Sequence, residues 1–135
     1  EVCNNFIPLL KDKKIKRKIE ISKDELFIIG DYNRLSQVLI NVIKNSIESI
    51  VDNGVISIWL KKYEEYIEIY VEDNGIGMDK YELEQIKKPF FTTKEKGTGL
   101  GIYLSKQIIE AHNGSIVYKT KKYEGTKTII KIPKS

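Results

Sequence analysis

Residues 34–51 read RLSQVLINVIKNSIESIV, and this stretch decides how the chain folds. At about 100° per residue on a helical wheel, one side of it is almost entirely apolar. Asp31 suits the N-cap, and Asp52-Asn53-Gly54 provides strong turn chemistry at the other end. The spacing therefore predicts a long amphipathic helix whose apolar stripe packs against a core. The stripe consists of Leu35, Val38, Leu39, Val42, Ser46 and Ile50.

Two asparagines, Asn41 and Asn45, lie one turn apart at the margin of this stripe. On the wheel they are about 60° and about 20° from Val38, so they point in nearly the same direction. A single such amide usually hydrogen-bonds nearby backbone. Two amides at i and i+4 on a rigid helix also suit a hydrated Mg²⁺ that is held together with a ligand's phosphates. The residues alone leave both interpretations open.

Around this helix the periodicity changes to that of strands. Three further helical stretches are indicated at 1–11, at 79–88 and at about 100–112, although Pro8 weakens the first. Tight turns, including one around Glu124-Gly125, join strands into pairs. The predicted strands are IKRKIEI (15–21), LFIIG (26–30), VISIWL (55–60), YIEIYVED (66–73), SIVYKT (115–120) and TKTIIKI (126–132).

This element order predicts the α+β class. Paired strands favour a mixed, largely antiparallel sheet, and three amphipathic helices would cover one of its faces in a two-layer sandwich. The 135 residues, of which 41% are hydrophobic, suit one domain over 1–135. A doubly wound sheet is not expected, because the strands do not alternate singly with helices.

Composition excludes several classes. One cysteine, Cys3, cannot form an internal disulfide, and no 18-residue apolar run is present. The net charge of +4 includes a basic run at 11–18, KDKKIKRK. Stacking aromatics are not interleaved with it, so a solvated turn leading into a strand is favoured over nucleic-acid binding. The start at EVCNN, without Met, suggests a piece of something longer.

The strand YIEIYVED runs directly into NGIGM at 74–78. Its alternation places Asp73 in the apolar, inward phase, where an unpaired charge costs several kcal/mol and therefore needs a donor. Gly75 and Gly77 follow and remove side chains where a flat ligand could lie against the backbone. An ordinary turn with a solvated aspartate is the alternative on this stretch alone.

A third pattern, KEKGTGLGIYLSK at 94–106, opens the second long helix with closely spaced glycines. Exposed N–H groups at a helix start, with Lys94 and Lys96 upstream, suit a phosphate. The spacing is neither a dinucleotide fingerprint nor a Walker A loop. The segment 77–97 is longer than an ordinary connection between two elements, and we expect it to form a lid over the site. Within it, Phe90 and Phe91 could equally form a small hydrophobic cluster.

Four stretches in order, NVIKN, DNGIGM, PFFTTK and GTGLG, resemble the N, G1, F and G2 boxes of sensor histidine kinases. Their ATP-binding domain belongs to a superfamily shared with type II topoisomerases, mismatch-repair ATPases and a heat-shock chaperone. The resemblance covers essentially the whole chain. It implies the Bergerat fold, with ATP between the helix layer and the lid. One departure is Thr128, where the family often has Phe.

By this resemblance, Asp73 accepts the adenine amino proton, Gly75 and Gly77 border the base, and Thr126 helps to hold it. The alternation of the last strand turns Thr126 toward the core, as that role requires. Asn45 is implied as the Mg²⁺ ligand, with Asn41 and Lys44 facing the phosphates. The triphosphate would be held by Lys94, Lys96, Gly97, Thr98, Gly99, Leu100 and Gly101.

The resemblance also implies what the chain lacks. Sensor kinases phosphorylate a histidine on a separate dimerisation domain, and the chain's one histidine, His112, is expected to cap a helix end. Implied partners are that domain, usually in a homodimer, and a downstream response regulator, with neither nucleic acid nor membrane bound by the domain. A cytoplasmic location is expected. Water-splitting relatives carry glutamate at the position of Asn41, and an amide cannot act as a base.

Two other functions stay open. A serine kinase of the anti-sigma type would phosphorylate a separate protein and would start freely at residue 1. A nucleotide-sensing module would bind ATP without catalysis, although the intact boxes argue against it.

Overall fold

The computed structural model describes residues 16–20, 32–50, 53–86 and 101–133. The predicted helix at 1–11, the predicted strand at 26–30 and the predicted N-cap Asp31 lie outside these ranges. So do residues 87–100, which include the PFFTTK stretch and most of the glycine-rich segment.

Five strands and three helices make up the described part of the chain. They come in the order strand, helix, two strands, two helices, two strands. The elements are β1 (Lys16–Glu20), α1 (Tyr32–Ser49), β2 (Val55–Lys62), β3 (Tyr66–Asp73), α2 (Lys80–Ile86), α3 (Gly101–Ala111), β4 (Ser115–Lys121) and β5 (Gly125–Pro133).

The strands form one sheet in the order β1-β2-β3-β5-β4. β1 pairs with β2 in parallel, and the other three pairs are antiparallel. The prediction of a mixed, largely antiparallel sheet is confirmed. The sequence did not indicate which strands would pair in parallel, because β1 and β2 are separated by the whole of α1 and local turn signals carry no information about their pairing.

α1 and α3 pack together on one face of the sheet, which we call the inner face. Alternate residues of β3, from Ile67 to Val71, point into this core and are at most 3% exposed. The predicted stripe of α1 is buried, but it is wider than expected, since Ile43 and Ile47 are also buried in the same cluster. The two-layer sandwich is therefore confirmed, with α1 buried over more of its circumference than one stripe.

Local chemistry ends the two long helices as their sequences indicate. After α3, Asn113 adopts φ 60°, Asn113 N–H bonds the Glu110 carbonyl at 3.0 Å, and Gly114 N–H bonds that of Ile109 at 2.9 Å. This is the Schellman motif with asparagine in the left-handed position. After α1, Asn53 takes φ 56°, within the predicted turn.

Candidate functional site

The two asparagines of α1 lie where the wheel predicts, half-buried at the edge of the packed face. The Asn41 side-chain nitrogen is 3.5 Å from the Ser105 hydroxyl, a long contact that links α1 to α3. Ser105 is 1% exposed, so this contact lies at the interface of the two helices. Lys44, by contrast, is exposed on the solvent side of α1.

Asp73 is the last residue of β3 and is 6% exposed, which excludes the ordinary turn with a solvated aspartate. Its Oδ1 accepts the Gly75 N–H at 2.8 Å and lies 3.3 Å from the Ser49 hydroxyl. The same hydroxyl donates to the Ser46 carbonyl at 2.8 Å, so its single proton is shared between two acceptors. The carboxylate is thus held by the end of α1 and by its own turn.

Burial raises the pKa of Asp73 above its ordinary value, because desolvation disfavours the charged form. Hydrogen bonds from the Gly75 N–H, the serine hydroxyls of α1 and the Thr126 N–H act in the opposite direction and lower it, without outweighing burial. These groups are all neutral donors. Carboxyl groups whose pKa is shifted by burial are found more often at functional sites than elsewhere.

Thr126 is directly opposite Asp73 in the antiparallel register of β3 and β5. It lies in the inner phase, as predicted, and is half-buried. Its hydroxyl is 2.8 Å from that of Thr120 on β4. Asp73 and Thr126, which are 53 positions apart in the sequence, therefore lie side by side at one end of two neighbouring strands, on the inner face.

The loop 74–78 that follows Asp73 is fixed from two sides. Ile76 N–H donates to the Ser49 carbonyl at 3.0 Å, and the Ile76 carbonyl accepts the N–H of Tyr123 in the β4–β5 turn. A Cβ at Gly75 would lie 2.2 Å from the Ser49 hydroxyl. The loop is thus hydrogen-bonded on one side to the end of α1 and on the other to the β4–β5 turn.

Gly77 and Gly125 bring the loop and the β4–β5 turn into backbone contact. Gly77 has φ +63°, and a Cβ there would be 2.0 Å from the Lys121 carbonyl oxygen. Gly125 has φ +104°, and a Cβ there would be 2.1 Å from the Asp73 carbonyl oxygen. The immediate reason for glycine at these positions is therefore the protein's own packing. Ligand contact at Gly77 stays a prediction.

α2 lies within the predicted lid, 77–97, and its first turn has a reciprocal cap. Asp79 accepts the Glu82 N–H at 2.7 Å, and Glu82 accepts the Asp79 N–H at 3.3 Å. Lys122, in the β4–β5 turn, donates to the same Glu82 carboxylate at 2.9 Å. The first turn of α2 is thus tied to the turn that also holds loop 74–78.

The described residues bring one part of the predicted site together: Asp73, Gly75, Gly77 and Thr126. Asn45 immediately precedes Ser46, so the same helix carries both the amide pair and the serines near Asp73. Gly101 is the first residue of α3. Lys94, Lys96, Gly97, Thr98, Gly99 and Leu100 lie outside the described residues, and their phosphate contacts stay predictions.

Three hydroxyl residues of this site were missed by sequence reasoning: Ser46, Ser49 and Thr120. Ser46 lies in the predicted apolar stripe and is 5% exposed, and a hydrogen bond from its side chain lowers the pKa of Asp73. Ser49 is one turn further along the same helix. Their spacing of i and i+3 near the helix end, beside a strand that ends in an inward carboxylate, is the signal that could have indicated them.

His112 caps the end of α3, as predicted. Its Nδ1 is 2.8 Å from the Ile108 carbonyl oxygen, so Nδ1 carries the proton and donates it. This ring nitrogen is therefore used within the helix end.

Residues 30–135 match the family model described as "Histidine kinase-, DNA gyrase B-, and HSP90-like ATPase". The chain belongs to this ATPase family. The predicted family is confirmed, and the match includes all of the site described above.

Two curated relatives of this chain are named sporulation kinases. Sporulation kinase A of Bacillus subtilis is 44% identical over 112 residues, which is 83% of this chain and 18% of that protein. Sporulation kinase C of the same organism is 38% identical over 138 residues, covering 98% of this chain and 32% of that protein. The chain spans about a third or less of the length of these two relatives.

Solved structures of the family share the fold. The catalytic domain of histidine kinase ThkA aligns with a TM-score of 0.85 at 33% identity, over 98% of this chain and 89% of that domain. The histidine kinase ThkA, solved in complex with the response regulator TrrA, aligns with a TM-score of 0.80 at 31% identity. The alignment covers 99% of this chain and 38% of the matched chain of that structure. The α+β sandwich of this chain is therefore that of a histidine kinase catalytic domain.

Proposed function

We propose that this domain binds ATP with Mg²⁺ and donates the γ-phosphoryl group to a histidine on the dimerisation domain of a sensor histidine kinase. The observation that carries the proposal is Asp73, a buried carboxylate among neutral donors, paired in register with Thr126. Burying this carboxylate costs free energy of folding, so stability does not explain its position. A ligand that presents N–H groups to it does.

In this proposal the purine lies against loop 74–78, with its amino group donating to Asp73. Gly77 and Thr126 border the base. The triphosphate extends toward the start of α3, where Gly101 and the preceding glycines and lysines would hold it. Catalysis then consists of positioning and charge neutralisation, without a covalent enzyme intermediate.

The residues present fit a shared Mg²⁺. Among the described residues, no group of three or more His, Cys, Asp or Glu side chains could hold a metal alone. Mg²⁺ commonly binds one or two protein oxygens and completes its shell with water and substrate phosphates. The Asn45 amide oxygen on α1, with Asn41 one turn before it, would supply the protein ligand. The ion would neutralise charge on the phosphates.

The acceptor histidine is expected on another domain. His112 is the one histidine of the chain, and its Nδ1–H donates to the end of its own helix. By analogy with the kinases it matches, a dimerisation domain would supply the acceptor, and a response regulator would take the phosphoryl group on. Because its substrate is ATP, we infer that the domain acts in the cytoplasm. In the described part of the chain, no helix is long and apolar enough to span a membrane.

The neutral amide of Asn41 supports transfer over hydrolysis. An amide cannot take a proton from water, so this position lacks a general base. Asn41→Glu is expected to raise ATP hydrolysis in the absence of an acceptor, and Asn41→Gln, which keeps the amide, is the matched control. Unchanged hydrolysis in Asn41→Glu would count against this part of the proposal.

The whole proposal is tested by transfer of label from γ-labelled ATP. The domain is mixed with a purified dimerisation domain from one of its relatives and with the same domain lacking its histidine. Label that is acid-labile and requires that histidine supports the proposal. Acid-stable label on serine would favour the serine-kinase alternative, and ATP binding without any transfer would favour a nucleotide-sensing module.

A further inference from the structure

Thr120 on β4 joins the loop and the β4–β5 turn with one hydroxyl. Its Oγ1 accepts the Met78 N–H at 2.9 Å, lies 3.1 Å from the Gly125 carbonyl oxygen and lies 2.8 Å from the Thr126 hydroxyl oxygen. Met78 ends loop 74–78, and Gly125 and Thr126 begin β5. The hydroxyl therefore links loop 74–78, β4 and the start of β5, and Thr126 on β5 is opposite Asp73 in register.

These three contacts constrain the protons. A threonine hydroxyl has one proton to donate and two lone pairs with which to accept. All three hydrogen bonds form together only if Thr120 donates to the Gly125 carbonyl and accepts from both Met78 N–H and the Thr126 hydroxyl. In the reverse orientation, with Thr120 donating to Thr126, the Gly125 contact has no proton. The full network therefore makes Thr126 the donor to Thr120.

This assignment fixes what Thr126 can offer a ligand. With its proton used inside the protein, the Thr126 oxygen has only lone pairs left. Asp73, opposite it in register, is an acceptor as well when ionised. This end of the site then presents two acceptors, and the two N–H groups of a single 6-amino group, as in adenine, can donate one to each. A carbonyl at the same place, as in guanine, would meet acceptors and lose a hydrogen bond.

We propose that Thr120 is a positioning residue for nucleotide selectivity: through the Met78–Thr120–Thr126 contacts it keeps the Thr126 hydroxyl an acceptor toward the base. The inference rests on the proposed function, since it requires that a purine nucleotide binds beside Asp73. Thr120 would not contact the ligand itself. It would act by orienting the hydroxyl proton of Thr126.

The test compares the binding of ATP and GTP, each measured by competition with a fluorescent ATP analogue in the presence of Mg²⁺. Thr120→Val removes the hydroxyl at nearly constant volume, and we expect ATP affinity to fall about threefold to tenfold, the value of one net hydrogen bond. The preference for ATP over GTP should narrow by a similar factor, because Thr126 becomes able to donate to a carbonyl. Thr120→Ser keeps the hydroxyl and should restore both.

Two controls separate positioning from a general loss of structure. Thr128→Val makes the same chemical change on β5, two residues from Thr126 and at a buried position outside this hydrogen-bond network, and should leave the ATP preference unchanged. In a Thr126→Val background, Thr120→Val should no longer change the preference, because no Thr126 proton remains to be set. If Thr120→Val does not fold, Thr120→Ala replaces it in both backgrounds.

The outcomes are distinguishable from failure of the proposed function. If the wild-type domain binds no nucleotide, the proposed function is wrong and this inference falls with it. If the wild-type domain binds ATP but Thr120→Val keeps its preference, only the inference is wrong. It is also wrong if folded Thr120→Ser behaves like the valine variant, or if the effect of Thr120→Val persists without the Thr126 hydroxyl.

Discussion

Glu72 and Asp73 are neighbours at the end of β3, and their side chains lie on opposite faces of the sheet. Glu72 points to the outer face, where its carboxylate is 3.8 Å from Lys127 and 47% of its side chain is exposed. Asp73 points to the inner face and is 6% exposed. Their cross-strand partners differ accordingly, since Glu72 faces Lys127 in register whereas Asp73 faces Thr126.

The difference indicates that the stability of the fold does not explain why Asp73 is buried. An exposed ion pair costs little and contributes little, so Glu72 is explained as part of a solvated surface. Asp73 loses its hydration and is compensated only partly, as its raised pKa indicates. Groups with pKa values perturbed in this way cluster at functional sites. Substitutions at these two adjacent residues are therefore expected to have different effects.

The largest effect is expected from Asp73→Asn. An amide nitrogen would donate where the carboxylate accepts, so ATP affinity should fall by about a hundredfold or more, since both the charge-assisted bond and its geometry are lost. The fold should survive, because the change is nearly isosteric. Nucleotide competition and thermal unfolding measure the two properties.

Glu72→Gln is the matched control for that variant, one residue away in the same strand. It should keep wild-type ATP affinity, because its side chain is on the opposite face. Wild-type affinity in Asp73→Asn, or an equal loss in both variants, would contradict the assignment of Asp73 to the adenine site.

The second effect is on stability against pH. Because the folded-state pKa of Asp73 lies above its ordinary value of 3.8, the folded protein holds this proton more tightly than the unfolded chain does. The stabilising contribution is fully present below the ordinary value and is lost as pH rises through the raised pKa. Each unit by which the pKa is raised corresponds to about 1.4 kcal/mol.

Denaturant unfolding of wild type and Asp73→Asn over a pH series measures this loss. The variant should gain stability relative to wild type as the pH rises above the ordinary value, and the gain should then level off. A difference between the two proteins that stays constant with pH would show that burial does not raise the pKa of Asp73.

Much of this contrast could be predicted from the sequence. The period-two alternation of β3 places Asp73 inward and Glu72 outward, and that of β5 places Thr126 inward, because side chains alternate strictly along a strand. The helical period likewise places Asn45 nearer the packed face than Asn41. These positions depend on residues close in sequence.

The remaining features depend on residues that are far apart. The pairing of Asp73 with Thr126 and the parallel pairing of β1 with β2 are set by chain topology, which local periodicity does not encode. The helical period predicts Ser46 only as part of the apolar stripe. A serine on a helix often bonds to its own backbone, so its position gives no indication of a distant acceptor such as Asp73. Thr120 is in the same phase of β4 as the half-buried Ile116 and Tyr118, so the alternation does not distinguish it, and its hydrogen bonds are seen only in the structure.

A third, smaller effect separates the two ends of the proposed nucleotide site. Removing Mg²⁺ should weaken ATP binding more in wild type than in Asn45→Ala, because the variant has already lost the protein's oxygen ligand. Gln37→Ala, an exposed change on the same helix, should retain the full wild-type response to Mg²⁺. Titration of ATP with and without a chelator measures it, and equal losses in wild type and Asn45→Ala would count against Asn45 as the ligand.

The smallest effect is expected on the outer face and completes the comparison. Lys127→Ala should change the free energy of unfolding by about 0.5 kcal/mol or less and leave ATP affinity unchanged, because Lys127 and Glu72 are both partly exposed and screened by water. A double-mutant cycle with Glu72→Ala isolates the pair, and its coupling energy should shrink further in high salt. A coupling well above 1 kcal/mol that salt does not weaken would mean that the outer face is not solvated, and that the difference between Glu72 and Asp73 is not one of hydration.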